Sequence, residues 1–260
     1  MKFEPVVTSN RLIYKYSAIS LNSLKNIINT SLYFSSPNEF NDPFDCRFVL
    51  QLNDITINGV KSFYKGKSLS KDTLRSKIDL FKKDKNLIVQ EIEDDYNQNL
   101  RKDFGVTCFS ETEDNILMWA HYADNFKGFC LIFDRQIHPE FFQGNKVQYK
   151  DEITIAEYDG NRKFESGEIF LTKLKLWEYE REVRSIAKLD GGDNPVKFNP
   201  RSLTGVIFGN KMKQSDKKMI KHLIQFHPEY EAVSFYNAIP DYKNKKVQIT
   251  EEHLSHGGIK

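Results

Sequence analysis

Val106–Asp134 reads VTCFSETEDNILMWAHYADNFKGFCLIFD: a strand, an acidic turn, a short helix and a second strand in succession. Val106 to Phe109 is a short apolar run rich in β formers. Ser110 followed three residues later by Glu113 has capping-box spacing, which predicts a helix starting there, with Asp114 in the first turn where it suits the helix dipole. Ile116, Ala120 and Ala123 share one face at i, i+4, i+7, and Met118, Trp119 and Tyr122 fill most of the rest. A helix apolar nearly all round is a buried helix. His121 would then be a buried imidazole in need of a hydrogen-bond partner, since an unpaired polar group costs roughly 1–3 kcal/mol. Asn125 to Gly128 turns the chain back into GFCLIFD.

Upstream, RLIYKY (Arg11 to Tyr16) alternates like a strand, and Ser20 caps a helix whose Leu21, Leu24, Ile27 and Ile28 form an apolar face. SLYFSS (Ser31 to Ser36) returns as a strand, and a β-α-β opening of this kind predicts both strands in one sheet. The loop SPNEFNDPFDC is dense in turn formers. Asn41, Asp42 and Pro43 read either as a rigid self-bonded turn or as a ligand-contacting loop. From residue 53 to 102 the chain becomes polar and lysine-rich. Leu74, Ile78 and Phe81, then Ile88, Ile92 and Tyr96, predict two amphipathic helices.

Downstream, KVQYKDEITI precedes a helix or extended connector, and Arg181 to Ala187 reads as a strand. GGDNP (191–195) reads as a turn, LTGVIFGN as a buried strand, SDKKMIKHLIQF as a helix capped near Ser215 or Asp216, and AVSFYNAI and KVQIT as closing strands. Strands and helices do not alternate strictly, so the expected class is α+β. It is one domain over residues 1–260, with a mixed, mainly antiparallel sheet, single or split, flanked by helices, and a polar helical insertion at about 53–102.

The 39% hydrophobic and 13% aromatic fractions fit a globular protein, and 260 residues suffice for a substantial core. A formal net charge of +2 gives no field strong enough to imply nucleic acid. The run at Lys82, Lys83 and Lys85 reads as a solvated face, with only Phe81 interleaved for stacking, so nucleic-acid contact there is weakly supported. Cys46, Cys108 and Cys130 lack metal-ligand spacing and read as reduced core thiols. Neither a signal-peptide run nor a stretch of ~20 apolar residues is visible, which leads to the expectation of a cytoplasmic protein with no membrane partner.

The sharpest acidic signal is WEYEREVR, Trp177 to Arg184. On a strand, Glu180, Glu182 and Arg184 would line one face, with the two carboxylates about 6–7 Å apart along the chain. One carboxylate could stabilise a positive sugar carbon while the other polarises a nucleophile. The purely structural reading is an exposed face on which Glu182 pairs with Arg184, worth at most about 1 kcal/mol. The phosphate-loop, dinucleotide, nucleophile-elbow and zincin motifs are missing. The histidines (His121, His138, His222, His227, His253, His256) are scattered, and only His121 has suggestive neighbours. Trp119 and Tyr122 beside it suit an aromatic wall for a flat ring.

With these residues in view, the chain resembles a bacterial family of uncharacterised function marked by FSSPNEFNDPFD, by CFSETEDNILMWAHYADNFKGFCLIF and by W-x-x-E-x-E-x-R. More distantly it resembles ADP-ribosyltransferase-like enzymes. That resemblance implies Arg11 or Lys15 as the first-strand basic residue, Ser35 and Ser36 or Ser110 and Thr112 as the Ser-containing element, and Glu180-Arg181-Glu182 as the acidic strand. It implies NAD as substrate, with Glu182 bonding the ribose hydroxyl, Glu180 orienting an acceptor, and Tyr14, Tyr16, Trp119 or Tyr122 stacking on a ring.

The expectation is an NAD-consuming transferase or glycohydrolase, of the kind found among bacterial toxins and phage-defence effectors, acting on a nucleotide-like small molecule and an unidentified macromolecular acceptor. Its candidate catalytic pair is Glu180 and Glu182. The candidate ligand-binding set is Tyr14, Lys15, Tyr16, Ser35, Ser36, Asn41, Asp42, Ser110, Trp119, His121, Tyr122 and Arg184, with no metal ligands. A non-catalytic nucleotide- or protein-binding module is the alternative. A metal-dependent nuclease drawing on Asp42, Asp45, Glu111, Glu113 or Asp114 ranks last.

Overall fold

The computed structural model of the chain describes residues 5–50, 55–65, 67–152, 154–156, 166–189 and 194–252. Residues 191–193 of the expected GGDNP turn, and His253 and His256, lie outside the described residues.

The first third runs β1 (Leu12–Ser17), α1 (Leu21–Ile28), β2 (Ser31–Tyr33), β3 (Phe48–Leu50), then α2 (Ile57–Lys65), α3 (Lys71–Lys83) and α4 (Lys85–Asp103). The middle runs β4 (Phe104–Ser110), α5 (Ile116–His121), β5 (Phe129–Asp134), α6 (Pro139–Phe142), β6 (Asn145–Lys146), β7 (Gln148–Lys150) and β8 (Thr154–Ala156). The rest comprises α7 (Ser166–Phe170), β9 (Thr172–Leu174), β10 (Glu182–Lys188), β11 (Pro195–Lys197), β12 (Leu203–Gly209), α8 (Gln214–Gln225), β13 (Ser234–Asp241) and β14 (Lys246–Glu251).

Eight strands form an open mixed sheet in the order β14-β13-β12-β5-β1-β4-β10-β6. All its pairs are antiparallel except β12 with β13, which α8 joins as the crossover that a parallel pair requires. Among the described residues three two-stranded ribbons stand outside it: β2 with β11, β3 with β8, and β7 with β9. The α+β expectation with a mainly antiparallel sheet is borne out.

The period-2 alternation of the central strands builds two cores. Ile13, Phe129, Leu131, Phe133, Val206 and Phe208 meet α1, α6 and α8 on one face, through Ile27, Phe142, Ile220 and Ile224. Tyr16, Cys130, Ile132 and Ile207 meet Met118 and Trp119 of α5 on the other. Between residues 55 and 103 the described residues form three helices rather than two. Val60, Phe63 and Tyr64 of α2 pack with Phe81, Ile88, Val89 and Ile92. Spaced i, i+3, i+4, those α2 residues make a narrow apolar face that a polar composition hides.

Two other expectations need correction. β2 does not join β1 in the main sheet; it pairs with β11 and reaches β4 only through the Ser35–Val106 bridge. α8 starts at Gln214 behind Lys213, without a side-chain cap from Ser215 or Asp216.

Candidate functional site

α5 does not begin at Ser110. Its N-cap is Asn115, whose Oδ1 accepts from the amides of Leu117 (2.9 Å) and Met118 (3.3 Å). The reason is tertiary. The Asn115 Nδ2 donates to the carbonyl of Tyr179 (2.8 Å), so one side chain starts the helix and holds the acidic segment. Ser110 Oγ instead donates to the carbonyl of Glu180 (2.7 Å). The turn between them is fixed by Tyr16 and Trp119, which donate to the carbonyls of Thr112 (2.9 Å) and Glu113 (2.8 Å). The helix is buried on one side only: Trp119 is 0% exposed, whereas Ile116 is 57% exposed. Met118, Trp119 and Ala123 hold it in the core, not Ile116 with Ala120.

The acidic segment is not a continuous strand either. Residues 175–180 form a 3-10 helix, Arg181 takes a left-handed conformation (φ 44°), and β10 starts at Glu182. The kink nonetheless leaves Glu180, Glu182 and Arg184 in one cluster. This is no exposed face: Arg184 is 0% exposed, and Glu180 and Glu182 are buried.

Arg184 donates through Nε (2.8 Å) and Nη2 (2.9 Å) to Glu182, and through Nη1 (2.9 Å) and Nη2 (2.6 Å) to Asp45. Its remaining hydrogen goes to the carbonyl of Phe170 (2.8 Å). All five guanidinium donors are therefore used, which an arginine fork does and a lysine cannot. Lys173 Nζ, under the Trp177 ring, adds contacts to Glu180 (2.6 Å), Glu182 (3.2 Å) and Asp45 (3.4 Å). Tyr122 donates its hydroxyl to the other Glu180 oxygen.

These environments drive the two carboxyls apart. Burial, and then the charge of Glu182, push Glu180 up to about 7, against the pull of Lys173 and Tyr122. Burial also opposes ionisation of Glu182, but Arg184 and then Lys173 outweigh it and hold that carboxyl well below the usual range. Burial, then the neighbouring Glu180, push the Tyr122 hydroxyl up, so it stays a donor.

The cluster forms one wall of a cavity of about 410 Å³. It opens where β1 and β4 diverge, since these strands are in register only at Tyr14 with Ser110. Of the residues singled out from the sequence, the cavity is lined by Tyr14, Lys15, Tyr16, Asn41, His121, Tyr122, Glu180 and Glu182. Arg184 and Ser110 stand behind it, holding Glu182 and the Glu180 backbone. Trp119 is packed edge-on to Tyr16 and stacked on Phe126, so it supports the wall and offers no stacking face. Ser35 bridges to β4 and Ser36 caps a 3-10 helix, away from the cavity lining. Asp42 accepts through Oδ1 from the Phe44 amide (2.9 Å), as in the self-bonded reading of that loop, while Asn41 beside it lines the cavity, as in the ligand-contacting one. His121 is exposed rather than buried, with its Nδ1 2.9 Å from the Tyr179 hydroxyl at the rim.

Lys173, and Asp45 as the partner of Arg184, are the functional residues the sequence reading missed; Phe40, Cys108 and Phe109 also line the cavity. The carboxylates considered for a metal are dispersed: Asp45 binds Arg184, Glu111 binds Lys146 (2.9 Å) and Asp114 accepts from Thr112. Among the described residues no group of three or more potential ligands is gathered. All three cysteines are free thiols. Among the described residues no helix is long and apolar enough to cross a membrane.

Residues 118–185 match the family model "Protein of unknown function (DUF2971)". The expected likeness to a family without an assigned activity is borne out over that segment. The matched segment starts in α5 and ends in β10, so it carries Tyr122, Lys173, Glu180, Glu182 and Arg184 and omits Lys15, Asn41 and Asp45. No curated protein and no solved structure matches the chain.

Proposed function

We propose that the cavity is the active site of an enzyme that cleaves or transfers at a glycosidic carbon of a nucleotide-like substrate, with NAD as the reference case. The observation that carries this reading is the split between the two acidic side chains: Glu180 poised near neutrality, Glu182 held ionised beside it. Pairs of carboxyls with separated proton affinities divide acid–base work from charge stabilisation. Glu180, facing the cavity and hydrogen-bonded to Tyr122, moves the proton. Glu182 supplies fixed negative charge for a sugar carbon that becomes cationic in the transition state. This exchanges the roles implied by the transferase resemblance, because Arg184 and Lys173 already occupy both Glu182 oxygens. Tyr14, Tyr16, Phe40 and Tyr122 give the wall an aromatic character suited to a flat ring.

The test is incubation with NAD and chromatographic detection of nicotinamide. Glu180→Gln is expected to lower turnover on the order of 10²-fold or more with its melting curve unchanged in shape. Unaltered NAD, together with no melting shift from NAD or ADP-ribose at millimolar concentration, would overturn the nucleotide reading. A second reading, a rigid binding module without chemistry, is favoured by one observation: the cluster carboxylates are already paired with cations. Tight binding without product, and a silent Glu180→Gln, would select it.

A further inference from the structure

Lys15 plays no part in the acid–base pair, yet it lines the same cavity. It sits on β1 at the gap where β4 leaves the sheet register, and its Nζ donates to the Thr107 hydroxyl (3.0 Å) and the Cys108 carbonyl (3.1 Å). Two acceptors match the two hydrogens of a neutral primary amine, whereas an ammonium would bring a third. Among the described residues Lys15 enters no ion pair, whereas Lys173 in the same cavity contacts three carboxylates. The two cavity lysines are thus opposites. Burial lowers the proton affinity of Lys15, with Cys108, Glu182 and Cys130 as its nearest opposing groups; the two thiols are themselves pushed up by burial and stay neutral. The Phe109 ring face lies 5.4 Å from its Nζ, a contact that favours the charged form and so works against the effect of burial.

We propose that Lys15 is an amine nucleophile that forms an imine with a carbonyl-bearing substrate, of which the open-chain aldehyde of a sugar is the class this cavity suits. The Nζ lone pair adds to the carbonyl carbon, and the carbonyl π pair moves to oxygen, which Glu180 protonates. The Glu180 carboxylate then takes one proton from the nitrogen and delivers it to the hydroxyl, which leaves as water while the nitrogen lone pair forms the C=N bond; the remaining iminium proton returns to Glu180, which is restored. The balance is amine plus carbonyl giving imine plus water, with no external oxidant or reductant. The inference rests on the cavity being the substrate site, as proposed above, but not on the identity of NAD.

The experiment treats the intact chain with glycolaldehyde and cyanoborohydride near neutral pH and follows reductive alkylation of each lysine by peptide mass spectrometry. Lys82, Lys127 and Lys175, all exposed, serve as internal references. Lys15 is expected to be alkylated roughly tenfold or more faster than any of them, since a depressed proton affinity raises its free-amine fraction. Its rate should fall in Glu180→Gln while the reference rates hold. Alkylation of Lys15 no faster than the exposed lysines overturns the proposal, and needs no variant to be read. Glycolaldehyde contains no nucleotide, so that failure leaves the NAD reading standing. Selective trapping at Lys15 in a protein that leaves NAD intact would remove NAD and keep the amine.

Discussion

Arg184 spends every guanidinium hydrogen on Glu182, Asp45 and the Phe170 carbonyl, inside a cluster where water does not compete. Removing it leaves two buried carboxylates with the longer contacts from Lys173, 3.2 Å to Glu182 and 3.4 Å to Asp45, in its place. Arg184→Met is therefore expected to cost about 3–5 kcal/mol in urea unfolding, the range for breaking a buried pair from one side. Arg184→Lys should recover little, because an ammonium cannot make the two-sided fork. A loss below 1 kcal/mol would mean the cluster is more solvated than its burial indicates. Tyr122 tests the acid–base residue more gently. Its hydroxyl favours the ionised form of Glu180, so Tyr122→Phe should move the Glu180 titration above about 7, seen as an alkaline shift in any pH profile that depends on it. Lys173 shows where reading residues one by one runs out. In TKLKLW, Lys173 and Lys175 look alike, yet Lys173 is buried against three carboxylates and Lys175 is exposed. Nothing local separates them; Asp45, far away in sequence, does.

At the scale of elements, the turn after α5 governs how the helix meets the sheet. Asp124, Asn125 and Phe126 all have positive φ, up to 71° at Phe126. The chain doubles back so tightly that two glycines meet it. A Cβ on Gly209 would lie 2.1 Å from the Phe126 carbonyl oxygen, and one on Gly128 would lie 2.2 Å from that of Ser17. Neither neighbour is a flexible side chain. Gly209→Ala should therefore destabilise by more than the ~1 kcal/mol typical of point substitutions, whereas Asn125→Gly should be neutral or stabilising, both by thermal melting. Equal melting temperatures for Gly209→Ala and wild type would show that this approach is looser than described. The strand, helix and strand of Val106–Asp134 were legible because apolar periodicity reports burial directly. The helix start was not, because the Ser110–Glu113 spacing satisfied a local rule while Asn115 satisfied a distant carbonyl as well. The same holds for Glu180-Arg181-Glu182: strand alternation foresaw a shared side for the two acids, and the left-handed Arg181 reaches it by another route.

For the whole molecule, the α+β class followed from non-alternating strands and helices, but the division into one large sheet and three ribbons depends on long-range pairings that periodicity does not encode. The cavity is a product of that topology: β1 stays with β5 along its length and parts from β4, and the loop carrying Asp45 closes on β10. The site also couples to global stability. Glu180 binds its proton more tightly folded than unfolded, so its contribution is complete below the ordinary glutamate range and is lost as pH rises through about 7. Glu182 has the opposite sign: its contribution is present above the ordinary range and disappears as pH falls through its lowered value. Between about pH 5 and about pH 8, wild type should accordingly lose stability relative to Glu180→Gln, measured by urea unfolding at the two pH values. The most direct test of the central claim is a carbon-13 NMR titration of the glutamate side-chain carboxyls. The account predicts one carboxyl titrating near 7 that vanishes in Glu180→Gln; a full set of glutamates titrating in the ordinary acidic range, with none near neutrality, would contradict it.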